Sequence, residues 1–431
     1  MLHTNVGVNE KGHLTFNKLD VVDLANKHGT PLMLLDVERI KNNIKVYKNA
    51  INKYFGSESF MCYASKALSI LEIYRICKEQ GVFIDVVSSG EIFTAKTAGF
   101  SLENSMFHGN NKTDFDIEFA IDNKLGYFVV DNKEELNAIS NIAKSKGITQ
   151  KILIRITPGI DPHTHAKITT GQVDSKFGTP IETGQAFELT SLALKTSNVE
   201  LCGFHCHVGS QCFDSGCFID ASQIMLTFIR DVKTLFNYTT KILNLGGGYG
   251  VRYVESDPVI DIDYNLKQVA LSIDKTCLDL GIDKPIIAFE PGRSIVADAG
   301  MTVYTAGSFK EILEHKNYIS IDGGMPDNPR YALYGSNYTI INASKADQEK
   351  SVVATIAGRC CESGDVIQED VEIAKTERGD KIAVLVTGAY NYSMASNYNR
   401  ITRPPIVAIE NEQDNIIVKR ESFEDLIKNE L

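Results

Sequence analysis

The sequence predicts an α/β fold: a (β/α)8 barrel with a second, mainly β domain. Three observations carry the prediction. Short apolar runs alternate with helix-patterned stretches through roughly the first 300 residues, the pattern of a parallel sheet with helices outside it. After about residue 300 the texture turns to strands with little helix between them. The residues just after the apolar runs are rich in chemistry, and a barrel gathers its active site at the C-terminal ends of its strands.

The bulk numbers permit this. A chain of 431 residues has a prior of two or three domains and buries a large core without staples. Hydrophobic residues are 43% and charged residues 23%, both ordinary for a globular protein. A net charge of −11 argues against nucleic acid, since phosphate binding wants a basic surface. The start, Met1-Leu2-His3-Thr4-Asn5, lacks a cationic region followed by an apolar stretch, so no signal peptide is expected. No apolar run reaches the roughly 18 residues that span a bilayer. Nine cysteines, an odd number without a scaffold rhythm, point to reduced thiols and a cytoplasmic location.

The apolar runs are Leu32–Leu35, Phe60–Ala64, Val82–Val87, Ser105–Phe107, Tyr127–Val130, Ile152–Ile156, Leu201–His205, Ile242–Leu245 and Ile286–Phe289. Helical patterns lie between most of them, among them Leu68–Cys77, Phe115–Ile121, Glu134–Ala143, Ile224–Leu235 and Leu266–Leu280. Eight or nine such units over roughly 270 residues match a barrel. Beyond them Val303–Thr305, Tyr318–Ile321, Val352–Ile356 and Ile382–Val386 read as strands of the second domain. The expected division is an N-terminal segment at 1–30 that joins the β domain, a barrel at 31–300 and a C-terminal β domain at 301–431.

Just after these runs stand Lys66, Ser88-Ser89-Gly90-Glu91, His108, Asp131, Arg155, His205 and His207, Gly246-Gly247-Gly248, and Glu290-Pro291-Gly292-Arg293. Lys66 after a strand is ordinarily a solvated lysine; desolvated at a barrel mouth, its amine becomes available for Schiff-base chemistry. The three glycines make either a tight βα turn or a cradle of backbone N–H groups around a phosphate. A dinucleotide fingerprint fails, because its third glycine falls on Val251. His205, Cys206 and His207, with Cys202 and Cys212 nearby, invite a zinc reading. If the strand runs on through His207, alternation puts the two histidines on one face and Cys202 and Cys206 on the other, and no metal site results. A flat imidazole beside an aromatic cofactor ring fits better. Ser210 can donate to a phosphate or simply occupy a polar turn. Glu290 and Arg293 can pair with each other, or Glu290 can hold a cationic ring nitrogen, the electron sink of pyridoxal phosphate. In the β domain, Cys360-Cys361-Glu362-Ser363-Gly364-Asp365 reads blandly as a structural thiol pair, and Gly388-Ala389-Tyr390 as a polar loop.

Taken in order, Tyr63-Ala64-Ser65-Lys66-Ala67, Asp85-Val86-Val87-Ser88-Ser89-Gly90-Glu91, His108-Gly109-Asn110-Asn111-Lys112, His205 through Gln211, Gly246-Gly247-Gly248, Glu290-Pro291-Gly292-Arg293, Cys361 through Asp365 and Met394 through Asn399 resemble the fold-type III pyridoxal-phosphate-dependent decarboxylases. The resemblance is strongest to their diaminopimelate-specific family, and it spans roughly residues 30 to 405. It implies a TIM-like barrel with an alanine-racemase-like β domain and pyridoxal 5'-phosphate as cofactor. Lys66 would carry the Schiff base, His207 would stack on the ring and Glu290 would bind its nitrogen. Ser210, the backbone of Gly247, Gly292 and Arg293, and Tyr390 would hold the phosphate. Arg293, Arg330, Tyr334, Glu362 and Tyr390 would bind substrate. Cys361 would donate a proton from the second subunit of a head-to-tail homodimer. The implied reaction turns meso-2,6-diaminopimelate into L-lysine and carbon dioxide. The alternatives are a related decarboxylase for ornithine, lysine, arginine or carboxynorspermidine and, more remotely, a zinc-dependent barrel hydrolase.

Overall fold

The computed structural model describes residues 2–159 and 175–431. The chain divides into two compact units, one of Ile44–Gly250 with Val259–Ser294, the other of Met1–Asn43, Val251–Pro258 and Ile295–Leu431.

The first unit is the barrel. Its strands are Phe60–Ala64 (β1), Phe83–Val86 (β2), Met106–Phe107 (β3), Tyr127–Val130 (β4), Gln150–Thr157 (β5), Val199–His205 (β6), Ile242–Asn244 (β7) and Ile286–Phe289 (β8). All pair in parallel in chain order, and β8 closes on β1 through Ala288 opposite Phe60 and Phe289 opposite Met61. Helices follow most strands, and Leu71–Gln80, Asp114–Asp122, Lys133–Ser145, Gly216–Phe236 and Ile262–Leu280 answer the five helical patterns.

Inside the barrel, Cys62, Met106, Val129, Leu153, Cys202, Ile242 and Ala288 form one apolar layer. Side chains alternate along a strand, so the next inward position is two residues on. That step leads from Met106 to His108, Val129 to Asp131, Leu153 to Arg155, Ile242 to Asn244 and Ala288 to Glu290. The polar layer thus sits directly above the apolar one, at the strands' C-terminal ends.

Strand β6 breaks the rule. Its register against β5 shifts between Leu201 and Gly203, a bulge that inserts one residue and re-aims the side chains beyond it. Phe204 therefore faces the outer helix and packs edge-on against Phe228, while His205 turns inward. Cys202 and His205 share the interior, contrary to the simple alternation expected for them. The strand also ends at His205, so it does not run on through His207.

Two other expectations change. Ser88 is an N-cap: its Oγ accepts from Glu91 N at 3.2 Å, and Glu91 Oε2 accepts from Val87 N at 2.7 Å. The Ser88–Glu91 motif therefore starts the helix Ser89–Thr97, as a reciprocal cap does. The run at Leu32–Leu35 is not a barrel stave. Strand Leu32–Asp36 pairs with Gly300–Glu311 on one side and Ile406–Glu410 on the other.

Those strands belong to the second unit. Its long strand Gly300–Glu311 also pairs with Lys381–Leu385 and Asn317–Ile321. Val352–Ala357 and Val366–Ile373 extend the sheet beyond Asn317–Ile321, and Gln413–Val418 edges it beside Ile406–Glu410. A small antiparallel sheet, Val6–Val8, Leu14–Phe16 and Leu19–Asp20, precedes the helix Val21–His28, which Asp20 caps.

Candidate active site

Glu290 is the centre of the barrel's polar layer. It is buried, yet its carboxylate is surrounded by donors. His108 Nε2 donates to Oε1 at 2.6 Å, Asn244 Nδ2 donates to the same oxygen at 2.7 Å, and His205 Nε2 donates to Oε2 at 3.1 Å. Burial pushes the Glu290 carboxyl up, and the hydrogen bonds it accepts from the two imidazoles pull it down. Burial pushes His205 down to about 3 and lowers His108 as well, against the pull of Glu290. Both rings are therefore neutral near pH 7, with the proton assigned to Nε2 by the hydrogen-bond network.

Lys66 lies on the single turn Ser65–Ala67 that follows β1. Ala64 N donates to Pro291 O at 3.1 Å, tying that turn to the segment after Glu290. A side chain on Gly292 would press on Ala64 and Ala67 at 2.8 and 3.2 Å, so glycine lets the two strand ends meet. The Lys66 side chain is exposed, so the chain by itself does not desolvate it as expected from sequence.

The glycine turn is as tight. Gly246 and Gly248 have φ of +69° and +136°, which only glycine adopts readily. A Cβ on Gly247 would lie 2.0 Å from Glu290 O, and one on Gly246 2.8 Å from His207 Nδ1. His207 thus packs directly on the turn. Burial pushes its imidazole well below its ordinary range, and the charges of Lys66 and Arg155 push the same way. Arg293 donates to Ser210 Oγ from Nε at 3.2 Å and from Nη2 at 3.1 Å. Lys66, His207, Ser210, Gly247, Glu290, Gly292 and Arg293 all belong to this one unit.

The sequence reading gave no role to two polar residues here. Asn244 interrupts an apolar strand, which was a signal. Asp85, one residue before the end of β2, has its carboxyl buried and its Oδ1 unpartnered among the described residues. Burial, then the charge of Glu290, pushes that carboxyl well above its ordinary value, and Lys66 and Arg155 pull the other way. Among the described residues, His108, His205 and Glu290 also bring ligand-type atoms within 4.8 Å of one another.

The second unit carries the remaining candidates. Arg330 opens the short helix Arg330–Tyr334 and is buried. Its guanidinium lies 4.6 Å from the ring centre of Tyr253 and 5.7 Å from that of Tyr338. It donates to Tyr338 Oη at 3.3 Å and Ser336 Oγ at 3.1 Å. Every one of these partners is neutral. Tyr334 is half-buried, and Tyr390, also half-buried, has a φ of +60°, an uncommon conformation for a side chain of that size. In the Cys360–Asp365 loop, Asp365 accepts from Met325 N at 2.6 Å and Cys360 N at 2.7 Å. That anchor leaves Cys361 and Glu362 exposed, and Cys361 N donates to Asn399 Oδ1 at 2.8 Å.

Residues 37–297 match the model of the pyridoxal-dependent decarboxylase family's pyridoxal-binding domain. The chain is 43% identical to the diaminopimelate decarboxylase of Bacillus methanolicus, covering 97% of this chain and 96% of that one. It is 41% identical to the same enzyme of Bacillus subtilis, covering 100% and 98%. The chain belongs to the diaminopimelate decarboxylase family. A solved diaminopimelate decarboxylase from M. jannaschii in complex with L-lysine superposes with a TM-score of 0.91 at 36% identity, covering 100% of this chain and 99% of that one. Membership of this family removes the zinc-hydrolase alternative and makes pyridoxal phosphate the cofactor. The residues present fit it. The glycine turn has no room for a Cβ, an imidazole lies against that turn, and a buried carboxylate faces the barrel mouth to take a ring cation.

Proposed function

We propose that the chain releases carbon dioxide from the D-centre of meso-2,6-diaminopimelate and yields L-lysine, the last step of lysine biosynthesis. The observation that supports this choice of substrate is Arg330. Among the described residues this buried guanidinium faces only tyrosines and a serine, and so lacks the anion that burial of a charge demands. A carboxylate on the far end of the substrate supplies it. Ornithine, lysine and arginine have no carboxylate there. Glu362 and Tyr334 contact the distal amino-carboxylate centre, and Arg293 and Tyr390 serve both substrate and cofactor.

Bound pyridoxal phosphate supplies an electron sink for the carbon that loses its carboxylate. Lys66 attaches the cofactor, His207 flanks its ring and Glu290 holds the proton on its nitrogen. Ser210, the backbone of Gly247, Gly292 and Arg293, and the Tyr390 hydroxyl hold its phosphate. The barrel domain binds cofactor and the C-terminal β domain serves substrate and partner. Cys361 returns a proton to the decarboxylated carbon; a thiol with a free pKa of about 8.5 is a workable acid near neutral pH. It does so from the second subunit of a homodimer in the cytoplasm.

Purified protein incubated with meso-diaminopimelate should release lysine and carbon dioxide. Faster turnover of ornithine or arginine would overturn the substrate assignment. Mixing inactive Lys66→Ala and Cys361→Ala homodimers should restore activity, since one site of each heterodimer then has both native residues. Subunit exchange without recovered activity rules out the shared site.

A further inference from the structure

We propose that His108 is a positioning residue: with His205 and Asn244 it fills three acceptor sites of Glu290 with neutral donors, leaving one site on Oε2 for the cofactor's ring N–H. The inference rests on the assignment of Glu290 as the ring's partner. An ionised carboxylate offers about four lone-pair sites on two oxygens. His108 and Asn244 occupy Oε1, and His205 occupies one side of Oε2. Oε2 retains one.

The neutrality of the donors is what matters. An anion in a buried layer needs donors to remain ionised, but cationic donors would cancel its charge and repel a ring cation. The environment of His205 favours neutrality: its Nδ1 is buried without a partner among the described residues, so a second proton there would be an unsatisfied buried donor, a costly state. The three donors therefore solvate Glu290 while leaving its full charge to the ring.

The donors are also held in place. His108 N donates to Val86 O at 2.8 Å. The loop after it is clamped by Lys112, whose buried ammonium donates to Gly109 O at 3.0 Å, Val129 O at 2.9 Å and Glu135 Oε1 at 2.7 Å. Asn244 Oδ1 accepts from Gly246 N at 2.8 Å, and Glu290 N donates to Gly246 O at 2.8 Å. One stretch of chain thus sets both the ring-nitrogen carboxylate and the glycine turn. The same histidine–carboxylate trio could hold a metal ion, but both imidazole Nε2 atoms are spent on the carboxylate at hydrogen-bond distances rather than aimed at a common point.

The test uses holoenzyme loaded with ring-15N pyridoxal phosphate, read by 15N NMR from pH 6 to 9. The native ring nitrogen should stay protonated throughout. In His108→Phe it should lose its proton within that range, and in His108→Gln, which keeps an N–H, it should stay protonated. A His108→Phe spectrum identical to the native one overturns the proposal. If that variant does not fold, native holoenzyme with 15N-histidine decides: His108 and His205 should each show one protonated and one bare nitrogen at pH 7.5. A doubly protonated ring, or a metal-bound nitrogen with stoichiometric metal, overturns it. Failure of the native protein to take up the labelled cofactor overturns the ring-partner assignment itself, and this inference with it.

Discussion

Glu290 and Arg330 are both buried charges, one in each unit, and their surroundings differ in kind. Three donors meet Glu290 within 2.6–3.1 Å. Arg330 is boxed by two tyrosine rings and two hydroxyls, with no carboxylate in its hydrogen-bonding shell among the described residues. The barrel satisfies its charge internally, so Glu290 is fixed before any ligand arrives. The β unit leaves a cation with no counter-ion among the described residues. One arrangement suits a permanent partner such as a cofactor, the other a substrate that comes and goes.

Two substitutions should pull the comparison apart. Glu290→Gln should cut turnover roughly 100- to 1,000-fold, the usual cost of removing a preorganised group aimed at developing charge. It should also lower the thermal midpoint, because the amide nitrogen cannot accept from the buried donors left facing it. Arg330→Met should raise KM by about ten- to a hundredfold, matching the roughly 1.5–3 kcal/mol of a charge-assisted contact. Its thermal midpoint should hold or rise, since a buried charge without a counter-ion disappears. Steady-state kinetics and calorimetry on the pair check both axes. Destabilisation by Arg330→Met would mean that the β unit needs that charge structurally.

A smaller effect separates the units by pH. His205, pushed down to about 3 by burial, contributes stability that is present above its ordinary 6.5 and is lost as pH falls through about 3. Asp327, pushed up to about 7 by burial despite a hydrogen bond from the Tyr304 hydroxyl, contributes stability present below 3.8 and lost as pH rises through about 7. Relative to native protein, His205→Gln should gain as pH falls from 6.5, and Asp327→Asn should gain as pH rises from 4 to 8. Thermal midpoints across that range that shift in parallel with the native protein's would refute the titrations.

What the sequence made legible tracks the range over which each cue acts. Lys66, the glycine turn and Glu290-Pro291-Gly292-Arg293 were readable because special residues follow apolar runs at short spacing. The identity of a strand's neighbour is not a local property, so Leu32–Leu35 read as one more barrel stave when it pairs with strands near residues 300 and 406. The bulge in β6 depends on packing against β5 and left no mark that alternation could detect. Asn244 did leave one, a polar residue among apolar neighbours, and its role needed Glu290 beside it. The helix at Ser89–Thr97 lacks an apolar stripe, so its cap was not legible as a helix start.

The placement of Leu32–Asp36 also sets an order of events during synthesis. All eight staves of the barrel have been made once residue 289 leaves the ribosome. Leu32–Asp36 is among the earliest segments to emerge, yet one flank waits for residues 300–303 and the other for residues 406–409. Before residue 300 is made it is an apolar strand with two open edges, the kind of segment that pairs with the wrong chain. The nascent protein is therefore most exposed to misassembly before residues 300–303 appear, one edge stays open until residues 406–409 follow, and a truncation before residue 406 would keep that edge open.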